Sequence, residues 1–207
     1  MNNLKIKNKN NINFINSLNN RTLIDFELIV ENNFEGRIEE SFFRDEVNSL
    51  GFYFLVTERL VNNVYNLLKD KKCLEIMAGT GFFSKCLADK GLDIISTDSK
   101  EWGLFDQGNV IKLDAIEAVE KYKSTMDVLI ICWPYMDNIA YQAIKAWGPE
   151  KPILVCAELG GCCADYMFSE AFKCERIEVG HQKFKLIHDE FYIGHYVEIN
   201  ENHYNNK

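Results

Sequence analysis

Hydrophobic residues alternate between short continuous runs and helix-spaced sets over most of the chain, starting near residue 73. Short apolar runs are typical of buried strands, and spacings of three and four place side chains on one face of a helix. The predicted strands cover residues 73–77, 92–97, 110–113, 127–133 and 152–158. The predicted helices cover residues 83–90, 115–122, 138–147 and 165–172. This alternation predicts an α/β fold, in which helices cover both faces of a mainly parallel sheet.

The pattern changes at the two ends of the chain. Residues 174–179 and 191–199 read as strands with no clear helix between them, which predicts an antiparallel hairpin. Apolar residues in 39–69 recur at helical spacing, so we predict a mainly helical extension over 21–70 and the main domain over 71–207. Residues 23–30 fit a strand or a helix equally well.

Composition narrows the picture further. The first 20 residues are dominated by Asn and predict a disordered or loosely attached tail. A net charge of -8 disfavours non-specific binding to nucleic acid. The 7 cysteines form no Cys-x-x-Cys pair, and no run approaches the length of a membrane span, so we expect a reduced, cytoplasmic protein without a membrane anchor.

A glycine turn joins the first predicted strand to the first helix of the main domain. Gly79 and Gly81 let the backbone turn tightly and approach a ligand, and the helix start offers unpaired N–H groups to it. Asp98 follows the second strand about 20 residues later, where a carboxylate accepts hydrogen bonds from ribose hydroxyls. Asp114 ends the third strand, next to Ala115. These positions together favour a nucleotide-like ligand.

These residues resemble the class I S-adenosylmethionine-dependent methyltransferases, over about residues 73–199. The resemblance implies a three-layer Rossmann-like sheet with an antiparallel C-terminal hairpin, and S-adenosyl-L-methionine as cofactor. Residues 74–81 are similar to the family's first motif, although Met77 stands where the family usually has its first glycine. Ser84 stands where a dinucleotide site wants its third glycine, which disfavours NAD. The implied cofactor-binding residues are Glu75, Ala78, Gly79, Gly81, Asp98, Asp114, Ala115 and Cys132.

For Glu75 and for an aromatic cluster, a purely structural role is the alternative to ligand binding. Glu75 either takes part in cofactor binding or only fixes the glycine loop through backbone N–H groups. The aromatic cluster of Phe42, Phe43, Phe52, Tyr53 and Phe54 either packs in the core or closes over a ligand.

The acceptor side is predicted to follow the fourth and fifth strands. Family members that methylate amino groups carry Asp or Asn, Pro, Pro and an aromatic residue here, and this chain has Cys132, Trp133, Pro134 and Tyr135 instead. Trp133 and Tyr135 either stack on a planar acceptor or pack the sheet edge. Glu158 either faces the acceptor or satisfies loop N–H groups.

The expected function is methyl transfer to an unidentified small molecule, protein or structured RNA. The alternative is a methyltransferase-like binding or regulatory module without catalysis. We predict no metal site, because the histidines recur at spacings that would alternate faces in a strand. Only His188 and Asp189 are kept as a candidate acid or base pair.

Overall fold

The computed structural model describes residues 9–20, 22–23, 37–101 and 109–201. The strands are β1 Lys72–Ile76, β2 Asp93–Asp98, β3 Val110–Lys112, β4 Val128–Cys132, β5 Ile153–Ala157, β6 Phe172–Ile177 and β7 Glu190–Tyr196. The helices are α1 Lys9–Asn19, α2 Arg37–Ser49, α3 Glu58–Leu68, α4 Phe82–Asp89, α5 Ala115–Tyr122, α6 Ile139–Trp147 and α7 Tyr166–Ala171. Every strand and helix predicted from residue 73 onward is present within a few residues of its expected bounds.

The strands form one sheet with the order β3-β2-β1-β4-β5-β7-β6. Strands β1 to β5 are parallel to one another, whereas β7 runs antiparallel to both β5 and β6. The chain order reverses at β1, which pairs with β2 on one side and with β4 on the other. Open α/β sheets bind ligands at such a reversal, beyond the carboxyl ends of the strands. The predicted Rossmann-like fold with an antiparallel terminal hairpin is confirmed.

The two faces of the sheet pack against different helices. On one face, buried residues such as Cys73, Ile130 and Phe191 share a cluster with residues of α1 to α4. On the other face, residues such as Leu74 and Ile131 share a cluster with residues of α5, α6 and α7. Because successive strand residues point to opposite faces, fully apolar central strands supply both clusters at once. The result is three layers, with the carboxyl edge of the sheet left between them.

The N-terminal region differs from its prediction. Residues 9–19 form helix α1, and Phe14 and Leu18 are fully or almost fully buried, so this part is not a disordered or loosely attached tail. The phenyl ring of Phe14 packs 6.2 Å from that of Phe43 in α2. The apolar residues of α1 are few, but they fall on one face, and docking onto α2 offsets the ordering entropy. Residues 1–8 lie outside the described residues.

The helical extension is only partly described, because residues 21 and 24–36 lie outside the described residues, including most of the segment left open between strand and helix. Helices α2 and α3 are present, and their buried residues belong to the same cluster as those of the sheet. The N-terminal helices and the sheet therefore share one core. Among the described helices, none combines the length and apolar character that crossing a bilayer requires.

Candidate functional site

A cavity opens at the carboxyl edge of the sheet, around the ends of β1, β2 and β4. It brings together nine of the residues selected from the sequence: Glu75, Ala78, Gly79, Asp98, Asp114, Ala115, Cys132, Trp133 and Tyr135. The segment from Gly51 to Phe54, between α2 and α3, forms another part of the wall. The described structure thus gathers the predicted donor and acceptor residues around one space, although two selected residues, Gly81 and Glu158, do not line it.

Hydrogen bonds from two of its backbone N–H groups hold the loop after β1. The Ala78 N–H donates to the Thr97 carbonyl at 3.0 Å, and the Gly79 N–H donates to Asp98 Oδ2 at 2.9 Å. The other oxygen of Asp98 accepts from the Lys100 N–H at 2.7 Å. Met77 adopts a φ of 53°, a left-handed conformation that is easy for the glycine usual in the resembled family. Asp98 therefore orders the glycine loop in addition to facing the cavity.

Gly81 has a packing role in this structure. It precedes α4 with a φ of 70°, and its N–H donates to the Ala78 carbonyl at 2.8 Å. A Cβ atom built on Gly81 would lie 2.3 Å from Cγ2 of Val110 in β3. The absence of a side chain at this position lets α4 begin directly against β3.

Glu75 is the most unusual polar residue of the cavity wall. Glu75 is only 2% exposed, and its Oε2 has no hydrogen-bond partner. Burial raises the pKa of this carboxyl to about 7, while the nearby Ser84 hydroxyl lowers it and the Asp98 charge raises it. Oε2 accepts no N–H group of the loop, so it does not support the alternative that Glu75 only fixes the glycine loop. A ligand with a positive charge or a donor group would satisfy this oxygen.

Asp114 and Ala115 lie at the start of α5, on another part of the cavity rim. Asp114 Oδ1 accepts from the N–H groups of Ile116 at 2.9 Å and Glu117 at 3.0 Å, which caps the helix. Both capping bonds use the same oxygen. The Ala115 N–H belongs to the first turn, where N–H groups have no acceptor within the helix. This rim therefore offers one carboxylate oxygen and one backbone donor to a ligand.

Cys132 is the last residue of β4 and Trp133 follows it, and both line the cavity. Desolvation raises the pKa of the Cys132 thiol well above its usual value, and the charges of Glu75 and Asp189 add to the effect. The thiol is therefore neutral and a weak nucleophile. The Trp133 ring stacks on Tyr53 with ring centroids 6.3 Å apart, and its Nε1–H donates to Asp189 Oδ2 at 3.0 Å.

The aromatic side chains selected from the sequence were predicted either to pack in the core or to contact a ligand. Phe43 is fully buried in the core. Phe52 and Phe54 are buried in the same core and also line the cavity, as does the more exposed Tyr53. Tyr135 is 51% exposed at the mouth of the cavity, so it is not a packing residue of the sheet edge. Gly51, with a φ of 83°, lies between the end of α2 and the residues Phe52 to Phe54 that line the cavity.

Glu158 lies away from the cavity, in the loop after β5. Its Oε1 accepts from the His188 N–H at 3.3 Å, and its Oε2 accepts from the Cys162 thiol at 3.0 Å. This arrangement agrees with the alternative in which Glu158 satisfies loop N–H groups. His188 is exposed, whereas Asp189 is buried and contacts Trp133 and His181. The two side chains kept as a candidate acid or base pair therefore lie in different environments.

No family model and no curated protein matches the chain. Among solved structures, a mutant of MtNAS in complex with S-adenosylmethionine is 11% identical, with a TM-score of 0.47 over 92% of this chain and 73% of that one. The E. cuniculi Mtq2–Trm112 complex, responsible for methylation of the eRF1 translation termination factor, is 16% identical, with a TM-score of 0.43 over 67% of this chain and 93% of that one.

A SAM-dependent O-methyltransferase from Thermotoga maritima is 11% identical, with a TM-score of 0.40 over 76% of this chain and 72% of that one. At these low TM-scores we draw no functional conclusion from the similarities. The chain's own cavity residues carry the functional interpretation.

Proposed function

We propose that the protein is an S-adenosyl-L-methionine-dependent methyltransferase that transfers a methyl group to an unidentified acceptor. The observation that carries the proposal is the unpartnered Oε2 of Glu75, buried in a cavity that also contains Asp98 and Asp114. S-adenosyl-L-methionine has an ammonium group, a sulfonium group, ribose hydroxyls and an adenine amine. Carboxylates placed along one cavity match that series of positive and hydrogen-bond-donating groups.

The glycine loop and Glu75 fit the amino-acid part of the cofactor. A positive group near Glu75 would favour its ionised form and supply the partner that Oε2 lacks. Gly79 lines the cavity with a φ of 55°, so its backbone approaches a ligand without a side chain in the way. Met77 and Ala78 complete this part of the wall.

Asp98 and Asp114 fit the nucleoside part. Each oxygen of Asp98 accepts one backbone N–H, and a carboxylate oxygen has a further lone pair for a ribose hydroxyl. Because helix capping uses only Oδ1 of Asp114, Oδ2 is placed to accept from the adenine amine. The Ala115 N–H would then donate to a ring nitrogen.

The acceptor side is assigned to Trp133 and Tyr135, with Tyr53 stacked against Trp133. The cofactor supplies an already activated methyl donor, so the residues around it need only align the acceptor and exclude water. Aromatic faces suit a planar or apolar acceptor group. Glu158 has an indirect role, since it orders the loop behind this wall. Small molecules, proteins and structured RNA all remain acceptor classes.

A binding or regulatory module is the second candidate. The observation that favours it is Cys132, a neutral thiol at the position where amino-group methyltransferases of the resembled family carry Asp or Asn. Such a module would retain the donor side of the cavity and lack transfer.

Calorimetry with S-adenosyl-L-methionine, S-adenosylhomocysteine and NAD tests the donor side. We expect saturable binding of the first two and none of NAD; absence of binding by the first two would reject both candidates. Transfer of a labelled methyl group to fractions of a cell extract then separates the enzyme from the module. Binding without any labelled product in protein, RNA or small-molecule fractions would support the module.

A further inference from the structure

A second group of chemically active side chains lies behind the cavity wall, outside the proposed cofactor site. Cys156 in β5, His181 in the loop between β6 and β7, and Asp189 just before β7 place one ligand atom each within 4.8 Å of one another. His181 Nε2 lies 3.1 Å from Asp189 Oδ2. Cysteine thiolate, imidazole and carboxylate are the three side-chain groups that most often bind zinc in proteins.

The sheet register explains why these residues meet. Cys156 pairs with Phe191 of β7, so Asp189, two residues earlier, lies on the same face of the sheet as Phe191. His181 comes from the irregular segment before β7 and packs edge-on against Phe191, with ring centroids 5.2 Å apart. The ring centroid of Phe54 also lies 6.2 Å from that of the imidazole. The imidazole therefore packs against two aromatic rings.

Their hydrogen bonding is incomplete although they are buried. The side chains of His181 and Asp189 are 4% and 2% exposed, and Cys156 is fully buried. Neither ring nitrogen of His181 has a hydrogen-bond partner, and Asp189 Oδ1 has none. Asp189 Oδ2 accepts from Trp133 Nε1–H. Apart from the 3.1 Å contact between His181 Nε2 and Asp189 Oδ2, the ring nitrogens and Oδ1 have no partner. Because buried polar atoms are nearly always paired, unpaired atoms beside a cluster of one ligand atom from each of three residues indicate a further partner.

We propose that Cys156, His181 and Asp189 form a binding site for a divalent cation of the zinc class. Tetrahedral zinc sites place their ligand atoms about 3.4–3.7 Å apart, a separation that small side-chain movements reach from the present arrangement. A thiolate and a carboxylate together carry two negative charges, which neutralise a divalent ion in an apolar enclosure. Binding releases the thiol proton of Cys156 to solvent, and no electron is transferred.

The site connects the terminal hairpin to the cavity. The ion would fix residues 181 and 189 to β5, and the Asp189 carboxylate holds the Trp133 indole at the cavity wall. The segment that supplies His181 is irregular, and the ion would enter through local opening of this segment. The spacing of the histidines does not indicate this cluster, because His181 lies in a loop and not in a strand. This inference does not depend on the proposed methyl transfer.

Cobalt(II) is the probe for this site, because thiolate ligation gives an intense near-ultraviolet charge-transfer band and tetrahedral geometry gives visible bands. The exposed cysteines Cys162 and Cys174 are first replaced by serine, so that they do not bind the metal themselves. We expect one equivalent of cobalt per chain with a thiolate band, displacement by Zn²⁺, and a lower Tm after chelation. No thiolate band in the folded protein would overturn the proposal and leave a metal-free core cluster.

Two variants assign the ligands in the same background. Cys156→Ser should lose the thiolate band, whereas Cys73→Ser, at a fully buried cysteine on the same sheet face, should keep it. Asp189→Asn keeps an acceptor for the Trp133 indole and should lower cobalt affinity at least tenfold. A band that persists in Cys156→Ser would contradict the assignment. If Cys156→Ser does not fold, the spectrum of the parent and the affinity of Asp189→Asn decide.

Discussion

Gly81→Ala tests how closely α4 is packed against β3 at the entrance to the glycine loop. Two costs add at this position. The φ of 70° is left-handed, which costs an L-residue about 1–2 kcal/mol. The added Cβ would stand 2.3 Å from Val110 Cγ2, and relieving such an overlap in a packed core costs about 1–3 kcal/mol. Val110 is buried and β-branched, so it has little freedom to turn away.

Gly160→Ala is the matched control, because Gly160 has a φ of 74° with nothing within 4 Å of an added Cβ. This variant has only the conformational cost of the left-handed φ, about 1–2 kcal/mol, and the lower entropy of its unfolded chain reduces that cost. We therefore expect Gly81→Ala to lose about 2–4 kcal/mol of unfolding free energy, and Gly160→Ala to lose clearly less. Urea denaturation followed by circular dichroism measures both values.

The double variant Gly81→Ala/Val110→Ala isolates the overlap. Val110→Ala alone should cost about 2 kcal/mol through lost burial, and the double variant should be more stable than the sum of the single changes by about 1–2 kcal/mol. Additive effects, or equal losses in Gly81→Ala and Gly160→Ala, would refute the close approach. If Gly81 instead faces the cofactor, the double variant will regain stability without regaining binding of S-adenosyl-L-methionine.

Three further outcomes are expected. A positive ligand favours the ionised form of Glu75, and burial raises the pKa of this carboxyl to about 7. The affinity for S-adenosyl-L-methionine should therefore fall up to tenfold per pH unit as the pH drops below about 7. Calorimetry of Glu75→Gln should show no such pH dependence. Asp98→Ala should bind the cofactor at least tenfold more weakly, unlike Asp93→Ala on the exposed start of β2. Phe14→Ala should lose about 3 kcal/mol in urea denaturation, whereas exposed Asn13→Ala should change little.

The order of strands and helices was predictable because each strand of the sheet is apolar on the faces it buries. Val128 to Ile131 are buried on both sides of the sheet, and that continuous run identifies a central strand without any knowledge of its neighbours. The hairpin was predictable for a different reason, since no helix separates its strands. Helix α1 was not, because its few apolar side chains matter only once α2 offers Phe43 as a surface.

The donor residues were predictable because they follow directly after strands, and the ends of parallel strands meet at one edge. Glu158 also follows a strand, but the loop after β5 turns its carboxylate toward Cys162 and the His188 N–H instead of the cavity. The contribution of Tyr53 and the partners of Asp189 depend on contacts between residues far apart in the chain. Spacing along the sequence contains no information about such contacts.

Backbone strain distinguishes the two edges of the sheet. At the amino edge, the left-handed positions after α4 and α6 are occupied by Gly91 and Gly148, which adopt them without strain. At the carboxyl edge, left-handed positions also occur at Met77, Trp133, Lys100 and Ala164, each in a loop after a parallel strand. Each costs about 1–2 kcal/mol that a glycine would avoid.

Met77 and Trp133 follow adjacent strands, β1 and β4, and both line the cavity. A turn alone would be served better by glycine, so the side chains at these two positions must provide something that the turn does not need. Trp133 provides the indole that Asp189 holds and Tyr53 stacks upon. Strain of this kind persists where the surrounding structure fixes it and concentrates at ligand sites. The backbone conformations of Met77 and Trp133 therefore indicate the same ligand-binding cavity as the buried carboxyl of Glu75. This indication does not depend on charge.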